Sequence, residues 1–322
     1  MTVLVTGAAG FIGYHVSLAL LRRGDRVVGV DNLNEYYSVA LKQSRIEALR
    51  PHNGFAFHRL DFADDALLKD TLRDSGIDRI VHLGAQPGVR YSIDHPMAYA
   101  KSNLVGHLAM LELARHTPGL RHFVYASSSS VYGGNEKLPF AEADPAEHPV
   151  SLYAATKRAD ELMSDAYAHL YGFPQTGLRF FTVYGPSGRP DMAVWLFTEA
   201  LFDGRPIRLF EDGRLLRDFT YVDDIVSGVI AVLDGPPAGD RPHRIYNIGN
   251  NRPERVTRLV ELIEQAADRK AVTVSAPMQP GDVPATYADI DAIRRDHGFE
   301  PKTPLEVGVP RFVDWYRKWR GL

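Results

Sequence analysis

The chain contains no cysteine. That excludes disulfides, thiol nucleophiles and cysteine-ligated metal centres, and it suits a reducing compartment. Net charge is nearly absent as well. Lys and Arg number 37 against 40 Asp and Glu, leaving −3. No nucleic acid and no anionic membrane is therefore expected as the main partner. No window reaches the roughly 18 uninterrupted apolar residues of a membrane span. Met1-Thr2-Val3-Leu4-Val5 runs directly into a β-branched stretch, without the charged segment and long apolar run of a signal peptide. Repeats and low-complexity tracts are also missing. These absences together lead us to expect a soluble, cytoplasmic protein.

What is present is an ordinary globular mixture of 322 residues, 45% apolar and 24% charged. That is enough for one large domain or two closely joined ones. Short β-rich runs at Val3–Thr6, Arg26–Val30, Phe55–Arg59, Arg79–Leu83, His122–Ala126 and Thr176–Phe180 alternate with helical patterns near 12–23, 40–49, 64–74, 98–116 and 153–171. Strands separated by crossover helices predict a parallel sheet. After Phe181 the rhythm changes. Gly and Pro cluster at 185–190, 204–206, 235–242 and 280–284, helical patterns recur at 193–203, 223–234, 256–268 and 304–319, and Arg244–Ile248 reads as one more strand. The expected fold is α/β: a Rossmann-type doubly wound parallel sheet over 1–178, with a return strand near 244–249, and a smaller mixed α/β substrate-binding domain over 179–322. Ligands of such sheets bind beyond the carboxyl ends of the strands, so the functional loops should follow the strands.

Residues 6–13 read Thr-Gly-Ala-Ala-Gly-Phe-Ile-Gly. Gly7, Gly10 and Gly13 lie between a strand and a helix, where glycine permits a tight turn and lets backbone N–H groups approach a pyrophosphate. A lone triplet would be a weak sign, but its place at the start of a βαβ unit points to dinucleotide binding. Asp31 ends the second strand, 18 positions after Gly13. A carboxylate there accepts the adenosine ribose hydroxyls and repels a 2′-phosphate, and Asn32 rather than Arg follows it, so NAD is the expected cofactor. Asp61, after the third strand, is a weaker candidate for the adenine amino group, since Asp is common at turns. Phe11 and Ile12, Asn32, Phe62, and Leu83, Ala85 and Gln86 complete the expected cofactor contacts.

Tyr153-Ala-Ala-Thr-Lys157 opens a predicted helix, and positions four apart share one face. A free tyrosine, with pKa near 10, is a poor base at neutral pH. Lowering it by roughly 3 units takes about 4 kcal/mol, and one positive charge at about 4 Å supplies that order of energy at an effective dielectric near 20. Lys157, helped by a positive nicotinamide ring, meets the requirement. Such a pair is common by chance in helices and gains weight here only from the glycine motif and from Ser127-Ser128-Ser129-Ser130-Val131-Tyr132-Gly133, a run of hydroxyls after the fifth strand.

Taken together, these motifs resemble the extended short-chain dehydrogenases/reductases, in particular the group that epimerises nucleotide sugars. The resemblance spans the chain and continues through Arg179-Phe-Phe-Thr-Val-Tyr-Gly-Pro186, Gly188-Arg-Pro-Asp-Met-Ala193, Arg217-Asp-Phe-Thr-Tyr-Val-Asp-Asp224 and Pro280-Gly-Asp-Val-Pro284. Asp31-Asn-Leu-Asn-Glu-Tyr-Tyr37 and Gly88-Val-Arg-Tyr-Ser92 resemble the UDP-glucuronate 4-epimerases within it.

The resemblance implies an NAD-dependent 4-epimerase acting on a UDP-sugar, reversibly converting UDP-glucuronate to UDP-galacturonate. Tyr153, Lys157 and Ser128 would be the catalytic residues. Tyr153 would take the 4-hydroxyl proton directly or through Ser128 while a hydride passes to NAD, and the flat 4-keto sugar would turn over before the hydride returns. Related 4,6-dehydratases carry an Asp-Glu pair where Ser129 and Ser130 stand, and related decarboxylases carry a Glu at Ser130. Thr182, Ser129 and Ser130 would hold the uronate carboxylate, Arg189 and Arg217 the diphosphate or sugar side, Asp282 the uridine ribose, and Arg90 the sugar or merely its own loop. The neutral-sugar epimerases have an Arg where this chain has Gln279. A UDP-glucose or UDP-N-acetylglucosamine 4-epimerase, a decarboxylase and a non-catalytic NAD-sensing protein are the rival readings. The helices near 98–116 and 153–171 build a four-helix homodimer interface in the family. No metal site is expected.

Overall fold

The computed structural model describes residues 1–278 and 282–322. Strands and helices first alternate strictly: β1 (Thr2–Thr6), α1 (Phe11–Arg23), β2 (Arg26–Asp31), α2 (Val39–Leu49), β3 (Phe55–Arg59), α3 (Asp65–Leu72) and β4 (Arg79–His82). The next crossover is broken into two single turns, α4 (Tyr91–Asp94) and α5 (Pro96–Tyr99), a π-helical stretch over Ala100–Val105, and α6 (Gly106–His116). After β5 (His122–Ser128) come a 3₁₀ turn (Ser129–Tyr132), α7 (Leu152–Tyr171) and β6 (Gln175–Phe180).

The remainder comprises β7 (Thr182–Tyr184), α8 (Ala193–Phe202), β8 (Ile207–Phe210), β9 (Leu216–Tyr221), α9 (Val222–Asp234), β10 (His243–Ile248), β11 (Pro253–Arg255), α10 (Val256–Ala267), β12 (Thr273–Ala276), α11 (Asp291–His297) and α12 (Leu305–Arg320).

Seven parallel strands form the main sheet in the order β10-β6-β5-β4-β1-β2-β3. Runs such as Val3-Leu4-Val5 and Ile80-Val81 are buried because helices cover both faces, which is why they read as continuous apolar segments. β1 pairs with β2 on one side and β4 on the other. Strand order reverses there, so the crevice at the carboxyl ends of β1 and β4 is the topological switch point. β10 joins the sheet beside β6, so the chain returns to the first layer after leaving it. The other strands make a three-stranded sheet, β11-β9-β7, and a β12-β8 pair.

α7 is the element that carries the predicted proton-transfer pair. Ser151 caps it by accepting the Ala154 N–H, and Gly172 ends it with φ +68. A buried ionic knot fixes it to the sheet. Glu161 accepts from Arg179 Nε at 2.7 Å and Nη2 at 2.8 Å, from Arg158 at 2.9 Å and from Ser127 at 2.6 Å. Glu161 and Arg179 are 1% and 2% exposed.

Candidate active site

The glycine turn is tight enough that side chains are excluded. Gly7 has φ +69, and a Cβ there would lie 2.8 Å from the Gly84 nitrogen, while one on Gly13 would lie 2.1 Å from the Gly7 carbonyl oxygen. β1, the start of α1 and the loop after β4 therefore converge on bare backbone at the switch point, the arrangement a pyrophosphate needs. Thr6 reinforces it: its Oγ1 lies 2.6 Å from His82 Nδ1 and accepts the Gly84 N–H at 3.1 Å.

Asp31 is buried, and each carboxylate oxygen accepts one backbone N–H, from Ala9 at 3.1 Å and Leu33 at 2.8 Å. Burial pushes its carboxyl up, opposed by the Leu33 N–H and the Lys42 charge. Each oxygen keeps a lone pair for a ribose hydroxyl. Asn32 accepts the Asn34 N–H. Asp61 accepts the Ala63 N–H and pairs with Lys101 at 2.8 Å, so an adenine amino group would share it with that ammonium. Phe11 is buried and Ile12 half-buried within the motif. Phe62 is buried, its ring packing where Cβ atoms on Gly84 and Gly106 would fall. Leu83, Ala85 and Gln86 line the loop after β4.

That loop is pinned by a residue the sequence reading missed. Asn103, inside the π-helical stretch, accepts the Gln86 N–H at 2.8 Å and donates to the Gln86 carbonyl at 3.2 Å and to Thr156 Oγ1 at 2.9 Å. The helix expected over 98–116 is interrupted: its first two residues end α5, and a π turn over Ala100–Val105 precedes α6. Such turns widen the helix and recur at functional sites. An amide four residues before His107, among the mostly apolar positions of that segment, was the available signal.

Ser128 and Lys157 are 7% and 3% exposed, and Tyr153 is half-buried. Ser128 ends β5, where its Oγ accepts the Ser130 N–H and contacts Ser130 Oγ, both at 3.1 Å. Lys157, one turn beyond Tyr153 on α7, reaches back to β5 by donating to the Ala126 carbonyl at 2.9 Å. Its other partner is Asp160, at 3.1 Å. The Tyr153 ring meets Tyr99 edge-on, with centroids 6.1 Å apart, and Tyr99 in turn donates to the Pro87 carbonyl at 2.7 Å. Lys157 thus meets the hydroxyl run at the carboxyl end of β5.

Arg189 lies within electrostatic reach of Tyr153. Its guanidinium forks onto Asp191, with Nε 3.0 Å from Oδ1, and Asp191 also accepts from the Tyr36 hydroxyl at 2.9 Å. Neither Tyr36 nor Asp191 was singled out in the sequence. The backbone of the same loop is held by Arg45, 1% exposed, which donates to the Ser187, Gly188 and Ala9 carbonyls and so ties it to the glycine turn. Thr182 begins β7 and is half-buried. Arg90 pairs with Asp282 at 3.2 Å. Arg217 donates to the Leu216 carbonyl at 2.8 Å. Burial pushes its guanidinium down, Asp282 opposing this and Arg90 adding to it. Gln279 lies outside the described residues. A cavity of about 60 Å³ beside Ser129 and Ser130 is lined also by Val89, Phe140, Ser151 and Thr286, with no carboxylate among its described lining residues. A larger cavity, about 220 Å³, opens near Thr176 and His297, beside the amino end of β6 and away from this crevice. No group of metal-ligating side chains occurs among the described residues.

Residues 3–249 match the NAD dependent epimerase/dehydratase family. The chain is 45% identical to a probable UDP-glucuronate 4-epimerase of Rhizobium meliloti (strain 1021), covering 98% of this chain and 97% of that one. Its fold is similar to the crystal structure of UDP-glucuronic acid 4-epimerase from Bacillus cereus in complex with UDP-glucuronic acid and NAD, with a TM-score of 0.92, 32% identity, and coverage of 99% of this chain and 100% of that one. It is also similar to UDP-glucose 4-epimerase from Thermotoga maritima with UDP-glucose, with a TM-score of 0.89, 31% identity, and 99% and 100% coverage.

Proposed function

The chain belongs to the NAD dependent epimerase/dehydratase family, and from that premise we propose that it is an NAD-dependent UDP-glucuronate 4-epimerase, interconverting UDP-glucuronate and UDP-galacturonate. Bound NAD supplies the chemistry of taking the C4 hydride and giving it back. Gly7, Gly10 and Gly13 admit its pyrophosphate, and Asp31 holds its adenosine ribose.

The protein's own residues handle the proton and hold the sugar. Tyr153 takes the 4-hydroxyl proton directly or through Ser128, and the Lys157 ammonium stabilises the phenolate. The resulting 4-keto uronic acid is a β-keto acid, prone to losing CO2. Ser129, Ser130 and Thr182 bind its carboxylate by neutral hydrogen bonds in a conformation that discourages this loss. Arg189 and Arg217 face the diphosphate or the sugar, and an incoming anion competes with Asp191 for Arg189. Asp282 and Arg90 serve the uridine side once their mutual ion pair opens.

The observation that carries this choice of reaction is the cavity at Ser129 and Ser130, which is lined by hydroxyls and apolar groups without an acid. Dehydration needs an acid and a base at C5 and C6, and hydroxyls are poor substitutes. The expected result is UDP-galacturonate formed from UDP-glucuronate by the pure protein without added NAD, read by separating the products. Mainly pentose products would make it a decarboxylase. Equal turnover of neutral sugars would make it a UDP-glucose or UDP-N-acetylglucosamine epimerase, and cofactor binding without turnover would leave an NAD sensor.

A homodimer and a cytoplasmic site of action belong to the same proposal. Val105 and Leu108 near and on α6, and Leu162 and Ala166 on α7, are exposed on two packed neighbouring helices, an apolar face of the kind that pairs two copies. Sedimentation at twice the chain mass is expected, and a monomer at micromolar concentration would remove this part. No helix among the described residues is long and apolar enough to cross a membrane.

A further inference from the structure

One turn of α7 beyond the proton-transfer pair lies an acid that the mechanism above does not use. Asp160 is 1% exposed, and its Oδ2 accepts from the Lys157 ammonium at 3.1 Å. Its Oδ1 has no hydrogen-bond partner among the described residues. A carboxylate with one oxygen bare in a dry interior holds its charge at a cost. Burial accordingly pushes Asp160 up to about 7, against the pull of Lys157.

The groups around it sharpen the contrast. Glu161, on the same helix, is satisfied by Arg179 and Arg158. From β4, His82 is pushed down to about 3 by burial and then by Lys157, and from α6, His107 is held well below its ordinary value by burial. Both are neutral at physiological pH. Tyr125, from β5, is pushed well up by burial and stays protonated. Burial also lowers His243, from β10, with Asp165 opposing. Lys157 is thus the cation that faces Asp160 among the described residues.

We propose that Asp160 is a positioning residue for the proton transfer: its carboxyl group pins the Lys157 ammonium against β5 and offsets part of its field at Tyr153, so that it sets the pH range in which Tyr153 serves as a base. The charges explain why such a group is useful. Oxidised NAD, when bound, would add the charge of its nicotinamide ring to the Lys157 ammonium, two cations against one phenolate. An ionised Asp160 balances them, and a protonated one leaves the phenolate more strongly favoured. The inference rests on the reading of Tyr153 and Lys157 as the proton-transfer pair.

Asp160→Asn keeps the shape and removes the charge. Tyr153 should then ionise at lower pH, because the ammonium field is unopposed, and Lys157 should lose its proton at lower pH, because its partner is gone. Both limbs of the pH profile of kcat/KM are expected to move down together by about one unit. A second readout needs no turnover. A buried acid whose folded pKa is raised contributes stability that is present below its unfolded value and is lost as pH rises through the folded one. The variant's melting temperature should therefore gain on the wild type between about pH 4 and 7. Unmoved limbs with a uniform loss of rate, or a melting offset that does not change with pH, would overturn the proposal. Asp160→Ser makes the same comparison should the amide fail to fold. Full activity in Tyr153→Phe would sink the underlying reading instead, so the two failures are told apart.

Discussion

Replacing Tyr153 by phenylalanine is expected to lower kcat by about 10³-fold, equivalent to about 4 kcal/mol of barrier, while leaving the fold and the retained NAD intact. The hydroxyl makes no hydrogen bond among the described residues, and the ring keeps its edge-on contact with Tyr99. Little stability therefore depends on the oxygen, and what is lost is the group we propose to accept the 4-hydroxyl proton. The separation of chemistry from folding is the useful part of this test. A melting temperature unchanged within about 0.5 kcal/mol of stability, together with the rate loss, assigns the effect to proton transfer. Steady-state kinetics of UDP-glucuronate turnover, read beside thermal unfolding of the same preparation, checks both halves.

The second large effect is on stability. Glu161→Leu should destabilise the protein by about 3–5 kcal/mol, because it strands the Arg179 guanidinium in a dry interior. That is a large share of the roughly 5–15 kcal/mol that holds a typical domain. Burial alone would raise the Glu161 carboxyl, yet the bonds from Arg179, Ser127 and Arg158 outweigh it and hold it below its ordinary value. A carboxylate depressed in the folded state contributes stability above its unfolded pKa and loses it as pH falls through the folded one. The difference between Glu161→Leu and wild type should accordingly be full at neutral pH and shrink in acid. Adding Arg179→Met should recover much of the loss, because no charge is then left unpaired. Urea unfolding of the two variants provides the measure, and a double variant no better than the single one would count against the stranded-charge account.

Much of the main sheet was legible in the chain itself. The six strand candidates correspond to β1 through β6, and Arg244–Ile248 to β10, with no end differing by more than two residues. Buried parallel strands announce themselves as short β-branched runs between helical periods. β7, β8, β9, β11 and β12 were not picked out. They are three to six residues long, β8 alternates between buried and exposed positions while β12 is mostly exposed, and a short strand is defined by its partner more than by its composition.

The same division runs through the site. Local spacing carries the glycine turn, because a Cβ at Gly13 meets Gly7 only six residues away, and it carries Tyr153 and Lys157, which lie one helical turn apart. Sequence alone was sufficient for the kind of cofactor and the kind of chemistry. Tertiary structure decided what those groups touch. Asp160 stands three residues from Lys157, visible on the helix but without meaning until both proved buried and one carboxylate oxygen proved to have no partner among the described residues. Tyr36 reaches Asp191 across 155 positions, Arg45 reaches Gly188 across 143 and Arg90 reaches Asp282 across 192. A helix or a turn is set by neighbours within a few residues, so its pattern is written in the chain. An ion pair across the fold depends on where both backbones are carried and on how much water is excluded around them, and no spacing in the sequence encodes that.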